Sequence, residues 1–571
     1  MLAEQPAPAD VIPALLAVGL QRTDVVGPEV GEHSGRGYLL DPDRWDLDQL
    51  SVFTALDDDA MKDVRILVAE QRLSASDLGR IGRVDRRTVR HRRPGQGGFG
   101  LEHALQRTSD QIRNACPEPQ PMNALLTDLY ELNMVASYLR RGMNGMATFS
   151  LFVRRLPEQR GFLVSAGLEG CLDYLEQLRF GDDDLEYLGT ELEFPHQDLE
   201  AFKRLRFTGD VWAVPEGRVV FAGEPLIEVT APLPEAQLIE TFLLNRVTYE
   251  TTIASKAARC VVAAAGRDVV DFAFRRTQGI EAGLDVARLS AMVGFRATSN
   301  VEAARRYQLT VAGTMAHSYI EAFESQLEAF RAFAEDFPAR TTFLVDTFDT
   351  VSGINDAIKV IRELDLQGQI GIRLDSGDLG ELARRGRRLL DRALLEKVRI
   401  FASGGLDEFQ IDELVREAAP IDAFGVGTRM GVSADHPYLD TAYKLVDYAG
   451  RAVMKLSHGK VTAPGRKQVF RKQRPFGDVL GLFDEPVAPD REPLLEQVMS
   501  GGRRVRARPT MAESRQRFQA DLALLPEAAC QVRSPKPPAV KSSDRLKQAT
   551  NETRARVLAQ IHGQREALRS R

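Results

Sequence analysis

Short apolar runs alternate with longer helical stretches between residues 268 and 426. The runs are rich in β-branched residues and are bounded by turn residues, which is typical of buried strands. They predict strands at 268–274, 309–312, 341–345, 369–374, 398–402 and 423–426, separated by helices at 318–335, 353–364, 380–396 and 408–417. This alternation implies a parallel sheet with right-handed crossovers. We favour a barrel over an open doubly wound sheet because nearly every strand ends in a polar cluster, where barrel active sites gather.

The chain on either side of this region has a different pattern. Residues 122–250 predict an α+β domain with hairpins, in which helical periodicity at 125–140 and from 238 onward flanks strand-like runs at 147–154, 162–166, 211–214, 218–221 and 226–229. After residue 440 the alternation fades, and antiparallel strands are predicted at 443–448 and 451–456. The basic tail at 536–571 is predicted to be solvated.

Residues 1–121 differ from the rest of the chain and end in a proline-rich run, 117–121, that is typical of a linker. The arginine-rich segment 74–93 is compatible with a helix-turn-helix that reads DNA, but an exposed basic helix or a disordered segment is the favoured interpretation. The run Gly95–Gly100 fits the spacing GxGxxG. No strand is predicted before it, so the dinucleotide-binding interpretation fails and a flexible loop is expected.

Length and composition argue against several classes of protein, including nucleic-acid binders and membrane-spanning proteins. A length of 571 residues predicts two or more domains. The formal net charge of −6 argues against a dedicated nucleic-acid binder, and no apolar run approaches the roughly 20 residues that span a bilayer. The four cysteines are scattered without a CxxC pair, which argues against a zinc site and a disulfide framework. Because the acidic N-terminal segment also lacks a secretory pattern, the expected location is cytoplasmic.

Polar clusters follow four of the predicted strands. They are Gly313–Ser318, Arg373–Asp378, Ser403–Gly405 and Gly425–Thr428. Because the carboxyl ends of barrel strands meet at one face, the four clusters are expected to form one site.

Two of these clusters have the chemistry of a phosphate site. The backbone amides of Gly404, Gly405 and Gly427 can approach an anion closely. Ser403 and Thr428 add hydroxyl donors. The alternative is that the glycines only make tight turns, but two such turns on adjacent strands favour phosphate.

Charged residues at the strand ends are also consistent with a site that binds phosphate. Arg275, Arg276 and Arg373 suit a phosphate or a carboxylate, because a guanidinium pairs with two oxygens at once. Asp375 and Asp378 can bind ribose hydroxyls or a Mg²⁺ ion that is held by phosphates, or they simply pair with the arginines.

His317 is the candidate reactive group of the site. A lone histidine is more often structural. Together with the other strand-end clusters, however, His317 is suited to be a general acid or base, or a nucleophile toward a phosphoryl group. The chain has no GxxxxGK[ST] motif, so any ATP is not held by a P-loop. From the residues alone, we expect a barrel enzyme that acts on a phosphorylated sugar.

With these motifs in their order, the chain resembles the nicotinate phosphoribosyltransferases from about residue 123 to about residue 550. The segment Leu126–Leu132 is similar to that family's opening helix, and Asp271–Gly279 is similar to its base-binding strand. The four strand-end clusters recur in the family in the same order. Residues 1–121 have no counterpart in this resemblance.

The resemblance implies a reaction and an architecture. Nicotinate and 5-phosphoribosyl 1-diphosphate would give nicotinate mononucleotide and diphosphate in NAD salvage, with ATP hydrolysis coupled to the transfer and Mg²⁺ present. The fold class would be α/β, with an irregular TIM-like α/β barrel and an α+β domain formed from segments before and after the barrel. The expected divisions are an extension at 1–121, the first α+β segment at 122–250, the barrel at 251–440, a returning segment at 441–535 and the tail at 536–571. The protein would be a head-to-tail homodimer with shared active sites.

The family's functional residues carry over to matching positions of this chain. His317 matches the histidine that ATP phosphorylates. Phe272, together with Tyr130 of the other subunit, would sandwich the pyridine ring. Asp375 would lie near the ribose and the metal. The remaining substrate-binding residues implied by the resemblance are Arg275, Arg276, Ser299, Arg373, Asp378, Ser403, Gly404, Gly405, Gly427 and Thr428.

Two alternatives remain open at this point. Nicotinamide phosphoribosyltransferase carries an Asp where this chain has Ser299; a carboxylate there would repel nicotinate, whereas a serine can donate a hydrogen bond to it. The chain could instead be a nucleotide-sensing regulator with a DNA-binding segment at 74–93, which the presence of His317, Arg373 and Asp375 disfavours.

Overall fold

The computed structural model describes residues 124–457 and 462–569, with side chains described up to residue 562. The linker, loop and helix-turn-helix interpretations of residues 1–121 therefore lie outside the described residues. Among the helices of the described segments, none is long and apolar enough to cross a membrane.

We number the helices and strands in chain order. The helices are α1 (Leu129–Arg140), α2 (Leu168–Gln177), α3 (Asp182–Thr190), α4 (His196–Arg204), α5 (Leu233–Leu238), α6 (Glu240–Ala264), α7 (Ile280–Met292), α8 (Val301–Tyr307), α9 (His317–Glu321), α10 (Gln326–Asp336), α11 (Thr350–Glu363), α12 (Leu379–Arg392), α13 (Glu408–Arg416), α14 (Thr428–Gly431), α15 (Met511–Leu522), α16 (Glu527–Cys530) and α17 (Asp544–Arg569). The strands are β1 (Met146–Val153), β2 (Leu163–Val164), β3 (Asp210–Ala213), β4 (Val219–Val220), β5 (Pro225–Pro232), β6 (Asp268–Asp271), β7 (Ala297–Thr298), β8 (Thr342–Leu344), β9 (Gly371–Leu374), β10 (Arg399–Ala402), β11 (Ala423–Val426), β12 (Thr441–Tyr448), β13 (Arg451–Ala452), β14 (Lys467–Lys472), β15 (Gly477–Leu482), β16 (Arg491–Pro493), β17 (Glu496–Ser500), β18 (Arg503–Arg504) and β19 (Lys541–Ser542).

A parallel sheet occupies the middle of the chain, where strand and helix alternate in the sequence. Its order is β7-β6-β11-β10-β9-β8, and every neighbouring pair is parallel. Ile372, Ile400 and Phe424 lie on one face of the three central strands and are fully buried in a single apolar core. The sheet curls into a half barrel, and the carboxyl ends of its strands lie along one rim.

An antiparallel sheet is built from residues on both sides of the barrel. Its order is β13-β12-β1-β5-β3-β17-β18. Strand β1 pairs with β5, which precedes the barrel, and with β12, which follows it. The predicted fold class, a barrel-type α/β domain with an α+β domain formed from segments before and after it, is confirmed.

Helix α6 connects the cores of these two parts. Near its start, Phe242, Leu243 and Val247 pack in the core of the antiparallel sheet. Farther along, Ala254 and Ala257 pack in the core of the parallel sheet. Small side chains at these positions let the helix lie close to the strands, so one 25-residue helix fixes the base of the barrel to the α+β domain.

Two predicted elements of the barrel take a different form in the structure. The run 309–312 forms a single parallel bridge, between Val311 and Thr298, because it lies at an exposed sheet edge. The helix predicted at 318–335 is two helices, α9 and α10, because the Ser325 hydroxyl caps α10 by accepting from the amide of Glu328. Serine followed three residues later by glutamate is a start signal that the sequence already carried.

Candidate active site

Arg373, at the end of β9, is the centre of a hydrogen-bond network on the rim of the sheet. Its Nε donates to Ser403 Oγ at 2.7 Å, its Nη1 to Thr314 Oγ1 at 3.0 Å and its Nη2 to Asp375 Oδ1 at 2.5 Å. A guanidinium has five N–H groups, so two remain for a ligand. The network joins the ends of β9 and β10 to the loop that carries Thr314.

Asp375 is held as a carboxylate by its neighbours. Its Oδ1 also accepts from Ser403 Oγ at 2.5 Å. Burial alone would raise the pKa of Asp375, but the hydrogen bond from Ser403 and the charge of Arg373 outweigh it and lower the pKa below its ordinary value. The second carboxylate oxygen, Oδ2, lies 3.8 Å from Nε2 of His317.

His317 is oriented from its other side by Thr347, which follows β8. The distance between His317 Nδ1 and Thr347 Oγ1 is 3.1 Å. Because Nδ1 is engaged, Nε2 is the ring nitrogen that faces Asp375 and the open rim. The imidazole is partly exposed, which leaves room for a reacting group.

Asp346 is a second carboxylate beside this group. Its Oδ2 accepts from the Asp375 amide at 2.8 Å and from Ser376 Oγ at 2.6 Å. Its Oδ1 is buried and has no hydrogen-bond partner among the described residues. A buried carboxylate oxygen without a donor is costly unless a cation or a ligand donor completes it.

An aromatic wall closes one side of the rim. The ring of Phe272 lies 5.6 Å from the ring of Phe401, centroid to centroid, and the guanidinium of Arg373 lies 5.5 Å above the Phe272 ring. Gly425 makes room for this ring, since a Cβ there would lie 2.9 Å from two Phe272 carbons. The wall offers a flat aromatic face next to a fixed positive charge.

The predicted glycine turns lie at the neighbouring strand ends. Gly404 has φ +97°, and a Cβ at this position would lie 1.9 Å from the Asp375 carbonyl oxygen, so only glycine fits. Gly405 is also left-handed, with φ +70°. After β11, Gly427 precedes Thr428, and the amide of Phe272 donates to the Val426 carbonyl at 2.7 Å. The two glycine turns and the aromatic wall therefore border one cleft.

Several predicted residues lie apart from the network. Arg275 and Arg276 are exposed in a 3₁₀ turn beyond β6. The Asp378 side chain caps α12 by accepting from the Glu381 amide at 3.0 Å. Tyr130 is 47% exposed on α1.

Ser299 follows β7 and is partly buried. Its amide donates to the Asp271 carbonyl at 2.9 Å, which fixes it beside the strand that carries Phe272.

Asp346, Thr347 and Phe401 were not among the site residues predicted from the sequence. Asp346 and Thr347 directly follow the strand predicted at 341–345, so the strand-end rule that identified Arg373 and Ser403 would have found them. Phe401 lies within a predicted strand, and only the pairing of β10 between β9 and β11 shows that its ring meets Phe272. Within the described segments, no group of three or more His, Cys, Asp or Glu side chains is arranged to hold a metal by itself.

Three profiles of one protein family match most of this chain. The N-terminal domain profile of nicotinate phosphoribosyltransferase matches residues 125–248, the profile of the family matches residues 268–473, and its C-terminal domain profile matches residues 488–550. The matched segments include every strand of the parallel sheet and every residue of the network around Arg373.

Individual relatives agree with the profiles. A nicotinate phosphoribosyltransferase of Mycobacterium tuberculosis is 47% identical over 412 residues, which cover 71% of this chain and 88% of the relative. That of Bacillus subtilis is 42% identical over 378 residues, which cover 64% and 77%. The crystal structure of the human nicotinic acid phosphoribosyltransferase superposes with a TM-score of 0.67 at 29% identity, covering 75% of this chain and 99% of that one. The chain belongs to the nicotinate phosphoribosyltransferase family.

Proposed function

We propose that this protein makes nicotinate mononucleotide and diphosphate from nicotinate and 5-phosphoribosyl 1-diphosphate, and that it couples this transfer to ATP hydrolysis through phosphorylated His317. The observation that carries the proposal is the set of contacts around His317, with Thr347 at Nδ1 and the ionised Asp375 facing Nε2. Family membership supports the transferase activity, and this geometry supports the coupling.

In the coupling step, Nε2 of His317 attacks the γ-phosphorus of ATP, the bond to the ADP oxygen breaks, and ADP leaves. The fixed carboxylate of Asp375 stabilises the positive charge that develops on the imidazole. Water later cleaves the nitrogen–phosphorus bond and releases phosphate.

In the transfer step, nicotinate replaces the diphosphate at the ribose carbon through a transition state with oxocarbenium character. The pyridine ring stacks on Phe272, and the free N–H groups of Arg373 pair with its carboxylate or with a nearby phosphate. The turns at Gly404–Gly405 and Gly427–Thr428 hold the 5-phosphate. These groups act by positioning the two reactants and by neutralising the departing diphosphate.

Mg²⁺ fits this cleft as an ion that the substrate phosphates bring. Asp346 Oδ1 is buried without a partner beside Asp375, and carboxylate oxygens are the ligands that Mg²⁺ prefers. Because the described residues offer two carboxylates and no larger cluster, phosphate oxygens and water would complete the ligand set. When bound, the ion would neutralise charge on the diphosphate.

We propose a homodimer in which each subunit covers the other's cleft. Exposed apolar side chains border the barrel rim at Ile280, Val301 and Phe348, and another exposed set, Leu129 and Tyr130, lies at the start of α1. We propose that these two sets of apolar side chains face each other across the dimer interface. Their burial against a second copy would bring Tyr130 of the partner subunit over the pyridine ring that stacks on Phe272.

The deciding experiment is a turnover assay with purified protein. Nicotinate and nicotinamide are supplied in parallel with 5-phosphoribosyl 1-diphosphate, each with and without ATP. We expect nicotinate mononucleotide, stimulation by ATP and little product from nicotinamide. Equal use of the two bases would favour nicotinamide phosphoribosyltransferase, and no turnover together with salt-sensitive DNA binding would favour a regulator.

A further inference from the structure

At the ends of β6 and β7, some side chains point to the barrel side of the sheet and others point to the helix side. Asp271 and Thr298 are paired in register at these ends. Successive side chains of a strand point to opposite faces, and the ring of Phe272 lies on the barrel side, against Phe401. Asp271 and Thr298 are therefore on the helix side, where both are 1% exposed. Ser299 follows Thr298 as Phe272 follows Asp271, so these two lie together on the barrel side.

A chain of hydrogen bonds joins the two strand ends on the helix side. Asp271 Oδ1 accepts from the Ala273 amide at 2.8 Å, and Oδ2 accepts from Thr298 Oγ1 at 2.7 Å. The same Thr298 oxygen accepts from the Asn300 amide at 3.0 Å. The Thr298 hydroxyl thus connects the backbone after Phe272 to the backbone after Ser299.

Asn300 extends this chain into two helices. Its Oδ1 accepts from the Ala303 amide at 3.1 Å and caps α8, and its Nδ2 donates to the Gly283 carbonyl in α7 at 3.2 Å. Every polar atom along this path is buried and has a partner, and such a fully satisfied buried network holds one arrangement of its backbone.

We propose that Thr298 is a positioning residue for the pyridine site, because its hydroxyl fixes the separation of Phe272 and Ser299 across the two strand ends. This inference rests on the proposed function. Thr298 itself faces the helices and does not touch the substrate. Its loss would leave Asp271 Oδ2 without a donor and would allow the two strand ends to shift relative to each other.

The test uses two matched pairs of variants in the full chain. The first pair is the parent protein and Thr298→Val, whose side chains are nearly equal in shape. The second pair is Thr298→Ser and Thr298→Ala. Within each pair, the protein that has the hydroxyl at position 298 is compared with the protein that lacks it. The KM for nicotinate, the KM for 5-phosphoribosyl 1-diphosphate, kcat and the melting temperature are measured for all four proteins.

We expect the two proteins without the hydroxyl to have a nicotinate KM about tenfold higher than their partners, which is the scale of one buried hydrogen bond. The KM for 5-phosphoribosyl 1-diphosphate should stay close to that of the parent, and Thr298→Ser should restore the nicotinate KM. If Thr298→Val fails to fold, the Ser and Ala pair decides.

Two outcomes would overturn the inference. Equal nicotinate KM values within both pairs would mean that the hydroxyl does not position the site, even if the melting temperature falls. An equal rise in both KM values would mean that the residue supports the fold in general. A parent protein that turns over no nicotinate would instead overturn the proposed function, and that result is read before any variant is compared.

Discussion

Nε2 of His317 lies 3.8 Å from Oδ2 of Asp375. The other oxygen of the same carboxylate accepts from Arg373 and Ser403. One oxygen therefore anchors the carboxylate to the sheet, and the other presents negative charge to the imidazole. A neutral ring at this distance gains little from the carboxylate, whereas a ring that becomes positive during phosphoryl transfer gains more. This relationship is the basis of the first two predictions.

His317→Ala should abolish ATP hydrolysis and the stimulation of synthesis by ATP, because it removes the phosphoryl acceptor. Slow synthesis without ATP is expected to survive, since Phe272 and Arg373 are untouched. Labelling with ATP tagged at its γ-phosphate should give an acid-labile, base-stable adduct in the parent and none in the variant. His196→Ala, which alters an exposed histidine on α4, is the control and should label normally. Undiminished labelling of His317→Ala would exclude His317 from this role.

Ser403→Ala should lower the stability of the protein near neutral pH and make that stability less sensitive to acid. The folded-state pKa of Asp375 is lowered, so its stabilisation is present above the unfolded pKa of about 3.9 and is lost as the pH falls through the lower folded value. Without the Ser403 hydroxyl, the folded pKa rises toward the unfolded pKa, so the variant is less stable than the parent above the unfolded pKa and loses less stability as the pH falls. The free energy of unfolding, measured with urea between about pH 3 and pH 7, checks this.

The control for that measurement is Ser403→Ala in an Asp375→Asn background. With no carboxylate to titrate at position 375, the serine substitution should no longer change the pH dependence. If it shifts the pH dependence equally in both backgrounds, another group is responsible.

Asp346→Asn should raise the Mg²⁺ concentration needed for half-maximal activity by about tenfold or more, the scale of losses when groups around a metal are mutated. The amide can still accept from the Asp375 amide and Ser376, so the local fold should persist. Asp349→Asn makes the same chemical change at the N-cap of α11, where Asn caps as well as Asp, and should leave the Mg²⁺ requirement unchanged. Equal Mg²⁺ requirements in the two variants would mean that Asp346 does not approach the ion.

A chain that starts at Met122 should fold, dimerise and turn over. The family match begins at residue 125, and Ala124 is already fully buried in the core of the α+β domain. A chain that starts at Met143 is the comparison. It lacks α1 with Tyr130, and it exposes the core against which Leu132 and Val135 of α1 pack, so it should be insoluble or inactive. If the chain from Met122 fails while the full chain works, residues 1–121 are part of the catalytic unit.

The sequence predicted those parts of the fold whose signal is local. Strands β9, β10 and β11 were predicted to within two residues because each is a short, mostly apolar run between turn residues. Strand β7 was missed because it has only two residues and is stabilised by its neighbours rather than by its own composition. Helices α2 to α4 were also not predicted. They lie in a segment that contains no strand-like run.

The site was predictable to the extent that it follows strand ends. The rule identified Arg373, Asp375 and Ser403, which the structure joins in one network. It could not assign Asp378 to the cap of α12 instead of the cleft, because an aspartate before a helix and an aspartate near a ligand look alike in sequence. The position that we propose for Tyr130 in a homodimer cannot be derived from one chain.

The final prediction concerns the choice between nicotinate and nicotinamide at Ser299. The two bases have nearly the same shape, so a pocket separates them poorly by size, but nicotinate carries a negative charge. Ser299 is fixed by its amide to the Asp271 carbonyl and lies on the same face as Phe272. A carboxylate there, about 4 Å from that of nicotinate, would cost about 4 kcal/mol at an effective dielectric of about 20.

Ser299→Asp should therefore depress kcat/KM for nicotinate by about two orders of magnitude or more, at about 1.4 kcal/mol per factor of ten. Use of nicotinamide should rise or fall far less, because its amide can donate to the new carboxylate and recover roughly 1.5–3 kcal/mol. Ser299→Asn is the matched control: it has the size of Asp without the charge, so any loss it shows measures crowding alone. The quantity compared is the ratio of the two specificity constants in each protein. If that ratio is the same in the Asp and Asn variants, charge at position 299 does not act on the base, and Ser299 does not face the nicotinate carboxylate.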